Sequence, residues 1–420
     1  MEIKRISLNT GANKAALAAL CVVCVAAIVL FAKWAFGHVV AVNATEPKVA
    51  ELGASLTASD PQAHYELAGL LEKTLLPGDQ ERSLGELELV VSLSPHNYVY
   101  WLALARAREQ SGDSSGAEEA ARTAQGLAPN YSRVQWALGN VLLRQGRLDE
   151  GFAEIRKAVA AEATFAGPAA AAAWQLFGGD VGRITEAIGD SPRINAAIAL
   201  LLANDKRYQE AISFWKRVPI EDIHDEVKEA GMSIFHKLVE GGRYRSAIDV
   251  AAGAFADTGV LTGSVSNPGF EEALTESKAS GPFSWKIADG AFPRVGQNQN
   301  QKRSGEYSLL ISFGNEGTGF RQITQKVGVE PLGKYDLQFF YRSELTTAAK
   351  LRCDVYSPDG SLIAGTALNS GQNWGTATVS FIVPADTEGI DIRIGIDSCP
   401  ATGCTAAGNI WFDDFSLSRQ

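Results

Sequence analysis

The stretch WALGNVLLRQGRLDEGFAEIRKA, residues 136–158, decides the fold of the first half of the chain. It places the small residues Gly139 and Gly151 on either side of a turn glycine, Gly146, within Ala- and Leu-rich sequence that favours helix. Matching residues occur 34 positions earlier, at Ala105, Gly112 and Ala117. The period predicts a helix–turn–helix unit in which small residues let two helices approach closely.

This unit resembles the tetratricopeptide repeat, a helical hairpin that stacks into a solenoid. Leu138 and Gly139 match the family's Leu-Gly pair, and Ala158 matches a position in its second helix. Across residues 47–260 we count about six units, of which two match well, while residues 165–192 depart from the pattern. The resemblance implies that this region binds a protein partner in its concave groove.

Length and charge limit the possible partners. A chain of 420 residues exceeds one ordinary domain and predicts two or three units. The formal net charge is −10, of which residues 1–44 contribute +3, so the remainder carries −13. An acidic body argues against nucleic acid as the main partner.

One segment is apolar enough to leave water. The run AALAALCVVCVAAIVLFAKWAF begins at Ala15 and contains a single charge, and a helix of this length crosses a bilayer core. We predict a transmembrane helix at residues 15–37 and a cytoplasmic N-terminus at residues 1–14, because the cations Lys4, Arg5 and Lys14 precede the span. The body would then lie in the periplasm, anchored to a bacterial inner membrane. A cleaved signal peptide is the alternative, since Ala44 ends a possible cleavage site.

The composition changes after Gly263. About eight short alternating runs are separated there by Gly, Asn, Pro and Asp, which predicts an antiparallel β-sandwich or jelly roll at residues 264–420. The predicted fold class is therefore multi-domain, α then β: one N-terminal transmembrane helix, a tetratricopeptide-like α-solenoid and a C-terminal sandwich.

The β region resembles carbohydrate-binding modules of the galactose-binding-like jelly-roll type. The segments NPGFE at 267–271, SGEYSLLI at 304–311 and IWFDDFSL at 410–417 carry the resemblance, in that order along the chain. Together with Trp285 and Trp374 they cover about residues 267–417. The resemblance implies the fold and leaves the ligand open.

The last strand contains two adjacent carboxylates. If Phe415 and Leu417 point into the core, strand alternation places Asp413 on the same side. A buried carboxylate needs a partner. In the reversed parity, Asp414 is the inward residue.

The resemblance implies that the partner of Asp413 is a structural calcium ion. Glu271 and Asp413 would then be oxygen ligands, with backbone carbonyls near residues 303–305 completing the shell. An ion pair from Asp413 to a Lys or Arg is the alternative. A glycosidase role for the same two carboxylates lacks a surrounding substrate-binding domain.

Sugar recognition needs aromatic side chains beside hydrogen-bonding groups on one exposed sheet face. Alternation with inward Leu337 and Phe339 turns two candidates outward on one strand, and alternation with inward Cys353 turns three outward on another. The candidate glycan-binding residues are Phe340, Arg342, Arg352, Asp354, Tyr356 and Trp374. An ordinary solvated face with isolated aromatic residues is the alternative.

The cysteines indicate compartment rather than catalysis. Cys399 and Cys404 enclose a loop short enough for a disulfide, which suits an oxidising compartment. Cys353 alternates with apolar residues and is predicted to be a buried free thiol. Cys21 and Cys24 are interpreted as apolar residues of the span.

The sequence contains no Gly-rich phosphate loop, nucleophile elbow or His-rich metal spacing. We therefore expect a non-enzymatic scaffold whose helices hold a protein partner and whose β-module binds a glycan, in assembly or export of cell-surface polysaccharide. The alternatives are a pure protein-assembly factor with a β-module that binds no sugar, and an accessory subunit of a glycan hydrolase.

Overall fold

The computed structural model describes residues 10–74, 76–254, 260–274, 281–314, 320–347, 351–396 and 406–420. The chain forms two compact units, Met1–Gly189 and Asp190–Gln420. Within the described residues, α-helices come first and β-strands follow, which confirms the predicted α then β order.

The first unit is a series of helix pairs. Its helices are α1 (Gly11–Val42), α2 (Pro47–Leu56), α3 (Pro61–Lys73), α4 (Pro77–Leu93), α5 (Tyr98–Gln110), α6 (Ser114–Leu127), α7 (Ser132–Arg144), α8 (Leu148–Ala161), α9 (Ala166–Phe177) and α10 (Val181–Ile188). Each odd-numbered helix packs on the next helix, and successive pairs contact one another. The tetratricopeptide-like solenoid is confirmed, and the departing region 165–192 contains a pair whose second helix is short.

The predicted small residues lie where the helices of a pair touch. A Cβ at residue 139 would be 2.7 Å from Ile155 Cγ1 and 2.9 Å from the Gly151 carbonyl oxygen, so only glycine permits this separation of α7 and α8. The turn glycines Gly112 and Gly146 have φ of +85° and +78°, which disfavours other residues.

Helix α1 joins an exposed apolar segment to this unit. It has an 18-residue window of mean hydropathy 3.0 with none of the window buried, so by length and composition it is able to cross a membrane. The helix continues beyond the predicted end at residue 37, and its last turns pack on α2. There Gly37 and Ala41 are buried, and a Cβ at residue 53 would lie 2.6 Å from the Ala41 nitrogen.

Where the structure describes it, the second unit combines four α-helices with a sandwich. Its helices are α11 (Pro192–Asn204), α12 (Tyr208–Trp215), α13 (Asp225–Glu240) and α14 (Tyr244–Ala254). Its strands are β1 (Lys286–Ile287), β2 (Arg294–Asn298), β3 (Ser308–Phe313), β4 (Ile323–Gly328), β5 (Lys334–Ser343), β6 (Thr346–Thr347), β7 (Leu351–Tyr356), β8 (Leu362–Ala367), β9 (Gly371–Ile382), β10 (Gly389–Ile396) and β11 (Ala406–Arg419).

The strands form two antiparallel sheets around one core. The five-stranded sheet has the order β1-β4-β10-β7-β8, and the six-stranded sheet has the order β2-β3-β11-β5-β9 with β6 beside β11. Phe339, Ile392 and Phe412 are fully buried between the sheets, and the burial of Phe339 confirms the alternation predicted for β5. Cys353 is also buried there as a free thiol, which confirms its predicted state, and burial raises the pKa of this thiol.

Helix α14 packs directly on the five-stranded sheet. A Cβ at residue 328 would lie 2.7 Å from Ile248 Cδ1, and a Cβ at residue 389 would overlap the Tyr244 ring. The glycines at the ends of β4 and β10 therefore let the helix approach the sheet backbone closely.

Polar contacts fix this packing. The Arg245 backbone N–H donates to the Glu388 carbonyl at 3.0 Å, and Ser246 Oγ donates to the Glu388 carboxylate. The Arg245 guanidinium pairs with Glu330 at 2.7 Å, and Gln209 of α12 donates to Glu388 at 3.0 Å. Because Glu388 is buried, these donors satisfy a carboxylate that would otherwise destabilise the fold.

Candidate functional site

The six candidate glycan-binding residues lie on two different sheets. Phe340 and Arg342 are in β5 and Trp374 is in β9, both of the six-stranded sheet, whereas Arg352, Asp354 and Tyr356 are all in β7 of the five-stranded sheet. The alternation that turns these β5 and β7 side chains away from the core is confirmed. Because the two sheets face opposite directions, a single platform that combines Phe340 with Tyr356 is wrong.

We call the outer surface of the five-stranded sheet the five-strand face. Three neighbouring strands supply its polar side chains: Thr324, Lys326, Arg352, Asp354, Tyr356, Asp391 and Arg393. Register places Arg393 opposite both Thr324 and Asp354. Residues directly opposite in an antiparallel pair lie on the same side of the sheet, so these groups form one continuous surface.

The candidate residues of β7 contact their neighbours on this face. The Arg352 guanidinium donates to the Asp354 carboxylate at 2.9 and 3.1 Å, and the Arg393 guanidinium lies 4.2 Å from the centre of the Tyr356 ring. A ligand would therefore meet paired, pre-positioned groups, with one face of the Tyr356 ring covered by a guanidinium.

Beside these residues the face contains a pocket of about 250 Å³. Its lining combines β1, β4 and β10 with the segments just before β1 and β4: Pro282, Ser284, Lys286, Gln322, Thr324, Lys326, Asp391 and Arg393. Sequence reasoning missed this pocket, although the alternation of Asp391 and Arg393 with Ile390, Ile392 and Ile394 places both on the side of the sheet away from the core.

Asp391 connects the pocket to helix α14. Its carboxylate accepts from the Tyr244 hydroxyl at 3.0 Å and lies 3.5 Å from Lys326 Nζ and 3.3 Å from the Arg393 guanidinium. Burial, together with the charge of Asp391, raises the pKa of Tyr244, so this phenol stays protonated and remains a donor. A side chain of the helical region thus belongs to the five-strand face.

The opposite surface, which we call the six-strand face, is more closed. The Arg303 guanidinium lies 3.4 Å from the centre of the Phe340 ring, and Arg342 donates to Gln301 at 2.7 Å. Arg342 also lies 5.6 Å from the ring of the buried Trp411. The predicted aromatic platform at Phe340 is therefore covered by Arg303.

The last strand contains a bulge that changes its parity. The pairing of β11 with β5 shifts between Asp413 and Ser416, and Asp414 has φ of +49°. Phe412 and Phe415 consequently both point into the core, and Asp413 lies opposite Phe340 on the outer side of the sheet. The prediction that Asp413 shares a side with Phe415 is wrong, whereas its predicted burial is confirmed.

The chain segment before β3 covers Asp413. Its Oδ2 accepts from the backbone N–H groups of Arg303 at 2.8 Å and Ser304 at 3.3 Å, and its Oδ1 accepts from the Asp414 N–H at 2.8 Å. Burial raises the pKa of Asp413, because these donors only partly replace water. Glu271 is held in the same way by the N–H of Glu306 at 3.0 Å.

The ion pair with a Lys or Arg that was the alternative for Asp413 is made by Asp414 instead. The Arg303 guanidinium contacts Asp414 Oδ2 at 2.5 Å, and Ser304 Oγ donates to Asp414 Oδ1 at 2.6 Å. Asp414 is partly exposed, so it is not the inward residue of the reversed parity.

Three carboxylates converge on Gly269. The position of a Cβ at residue 269 would be 3.5 Å from Asp413 Oδ1, 3.7 Å from Glu271 Oε1 and 3.8 Å from Asp414 Oδ1. These hard oxygen donors fit calcium chemistry. Within the described residues, however, no three His, Cys, Asp or Glu side chains meet the spacing of a metal centre, so calcium stays a prediction. Cys399 and Cys404 lie outside the described residues.

No protein-family model matches this chain, and no curated protein matches it. Among solved structures, a CBM4 protein is similar to 37% of the chain at 21% identity, with 99% of its own length covered and a TM-score of 0.29. YrrB, a TPR protein with an unusual peptide-binding site, covers 50% at 16% identity, with 91% of its own length and a TM-score of 0.26. TmCBM61 in complex with β-1,4-galactotriose covers 37% at 20% identity, with 96% of its own length and a TM-score of 0.26. These partial similarities accompany the two folds seen here and carry no argument about function.

Proposed function

We propose that this protein is a membrane-anchored scaffold that binds a protein partner through its helix pairs and a glycan through the five-strand face. The observation that carries the proposal is the five-strand face itself, where three adjacent strands present polar side chains around an open pocket. Assembly or export of cell-surface polysaccharide would need both kinds of binding.

The chemistry of the five-strand face suits a sugar. Hydroxyl groups need donors and acceptors in fixed positions, which Asp354 with Arg352 and Asp391 with Arg393 supply. Tyr356 adds a ring edge and a hydroxyl beside them. Because these groups hold one another in place, a ligand would lose little affinity to side-chain ordering.

Burial at the end of α1 supports an uncleaved anchor. Ala41 is fully buried in a cluster with Ala50, Ala54, Ala63 and Leu67. Cleavage after Ala44 would remove Ala41 and expose this cluster. We propose that residues 1–14 lie in the cytoplasm, the span in the bacterial inner membrane and the body in the periplasm, with the orientation argued from the cations that precede the span.

The carboxylates support binding rather than catalysis. Asp413 is fully buried, and backbone N–H groups hold both Asp413 and Glu271. A glycosidase needs two carboxyl groups that face a substrate, one of them free to transfer a proton. We propose structural roles for both residues, including calcium binding.

The test uses the full chain in detergent on a glycan array. We expect Tyr356→Ala with Arg393→Ala to abolish binding, while Phe340→Ala on the six-strand face leaves it unchanged, because the two sets lie on opposite surfaces. A folded protein that binds none of the glycans would refute the glycan function and favour the pure assembly factor. Loss of binding in Phe340→Ala alone would show that the glycan binds the six-strand face and would refute the proposed site.

A further inference from the structure

The pocket on the five-strand face is cationic in a chain that is acidic overall. Among the residues that line it, Lys286, Lys326 and Arg393 are cations and Asp391 is the single carboxylate. The full chain has a formal net charge of −10. The net charge of the chain would repel an anionic ligand, whereas the cations that line the pocket would attract it.

The one carboxylate is already engaged. Asp391 receives the Tyr244 hydroxyl, and Lys326 and Arg393 lie 3.5 and 3.3 Å from it. Lys286 is exposed and lines the pocket, and its side chain makes no hydrogen bond or ion pair within the described part of the chain. Its ammonium group, with the remaining donors of Lys326 and Arg393, is therefore available to a ligand.

We propose that this pocket binds the carboxylate of an acidic sugar residue, which deepens the proposed function and rests on it. Arg and Lys donors bind carboxylates through charge-assisted hydrogen bonds. Ser284, Gln322 and Thr324 line the same pocket and supply neutral partners for hydroxyl groups. A volume of about 250 Å³ accommodates one sugar residue rather than a long chain.

The carboxylate has two possible sources, a uronic acid ring and a pyruvyl ketal substituent on a neutral ring. The experiment measures the affinity of the detergent-solubilised full chain for oligogalacturonate, for its methyl ester and for a pyruvylated neutral oligosaccharide, beside neutral glycans. We expect binding to one or both carboxylated probes, weaker binding to the methyl ester and a loss of affinity as salt is added.

Variants locate the interaction. Lys286→Gln should weaken binding of the carboxylated probe by about two- to fivefold, the range of a partly exposed ion pair. Lys286→Arg should retain it, and Lys334→Gln on the six-strand face is the matched control because Lys334 is also exposed. If Lys286→Gln weakens binding of carboxylated and neutral glycans alike and lowers the melting temperature, the variant is misfolded. Lys286→Arg then tests the site, because it keeps the positive charge.

The outcomes separate the two proposals. Binding restricted to neutral glycans overturns the carboxylate site and leaves the glycan function in place. So does binding of oligogalacturonate that its methyl ester matches in affinity. The absence of binding to every glycan overturns both. An unchanged affinity in Lys286→Gln also overturns the carboxylate site.

Discussion

Removal of the Asp413 carboxylate tests what holds the last strand, β11, to the segment before β3. In Asp413→Ala, the backbone N–H groups of Arg303, Ser304 and Asp414 lose their acceptor. A buried donor left without a partner costs about 1–3 kcal/mol. Because Arg303 and Ser304 are in an exposed segment, water can replace part of this loss, so we expect a destabilisation of about 2–3 kcal/mol for the whole change.

Calcium would add a separate contribution. An ion that binds only the folded state stabilises it by about 2.7 kcal/mol at one hundred times its dissociation constant. For a unit of this size, that corresponds to a shift in melting temperature of about 5–10 °C. Chelator should produce this shift in the wild type and none in Asp413→Ala. The control is Asp386→Ala, which removes an exposed carboxylate that is not one of the three near Gly269 and should respond like the wild type.

The sign of the pH dependence distinguishes the two explanations. The raised pKa of Asp413 means that, without a cation, its contribution to the free energy of unfolding falls as pH rises from the ordinary value of 3.8 through the folded value. Acidification through this window should then stabilise the wild type relative to Asp413→Asn. With calcium bound, acidification releases the ion and should destabilise it.

The assay is thermal unfolding of the full chain in detergent, with amide hydrogen exchange of β11 to assign the change to the sandwich. An absence of any chelator effect, together with metal-free purified protein, would show that the calcium prediction is wrong. Equal stability of Asp413→Ala and wild type would refute the hydrogen-bond argument itself.

Three further predictions concern other parts of the chain. Mass spectrometry of the membrane-extracted protein should find residues before Ala44, because the end of α1 is buried in the core of the first unit. A mature chain that begins after Ala44 would contradict the anchor. Gly389→Ala should lower the melting temperature of the second unit by several degrees, since a Cβ there overlaps the Tyr244 ring, whereas Gly395→Ala has open space and should be neutral. Cys353 should react with a thiol reagent only after unfolding, because it is fully buried and its pKa is raised; rapid labelling of the native protein at this residue would contradict the packing.

Local patterns predicted the helices and the facing of the strands. The repeated small residues and turn glycines mark contacts between helices that follow one another in the sequence, such as the contact of Gly139 with Gly151. Alternation likewise gave the outward residues of β5 and β7. Each of these features depends on backbone geometry that repeats along a single element.

The errors concern information that is not local. β5 and β7 are near in sequence but belong to different sheets, and alternation reports the side of a strand without naming its sheet. The predicted facing of Asp413 is wrong because a bulge at Asp414 inserts a residue into the strand, and a non-glycine residue at positive φ is uncommon enough that alternation does not anticipate it. The pocket was missed because its lining comes from strands far apart in sequence.

The packing of α14 bears on the choice between a glycan binder and a pure assembly factor. The helix approaches the five-strand face most closely at the strand ends, where Gly328 and Gly389 allow it, and its Tyr244 reaches Asp391. The rest of the face carries paired charges that are only partly buried, including Arg352 with Asp354. A protein partner that sealed this region would have to remove water from those charges, which costs free energy unless new partners replace it. A hydroxyl-rich ligand provides such partners group by group. The five-strand face is therefore better matched to a glycan, and a protein partner is better sought on the helix pairs of the first unit.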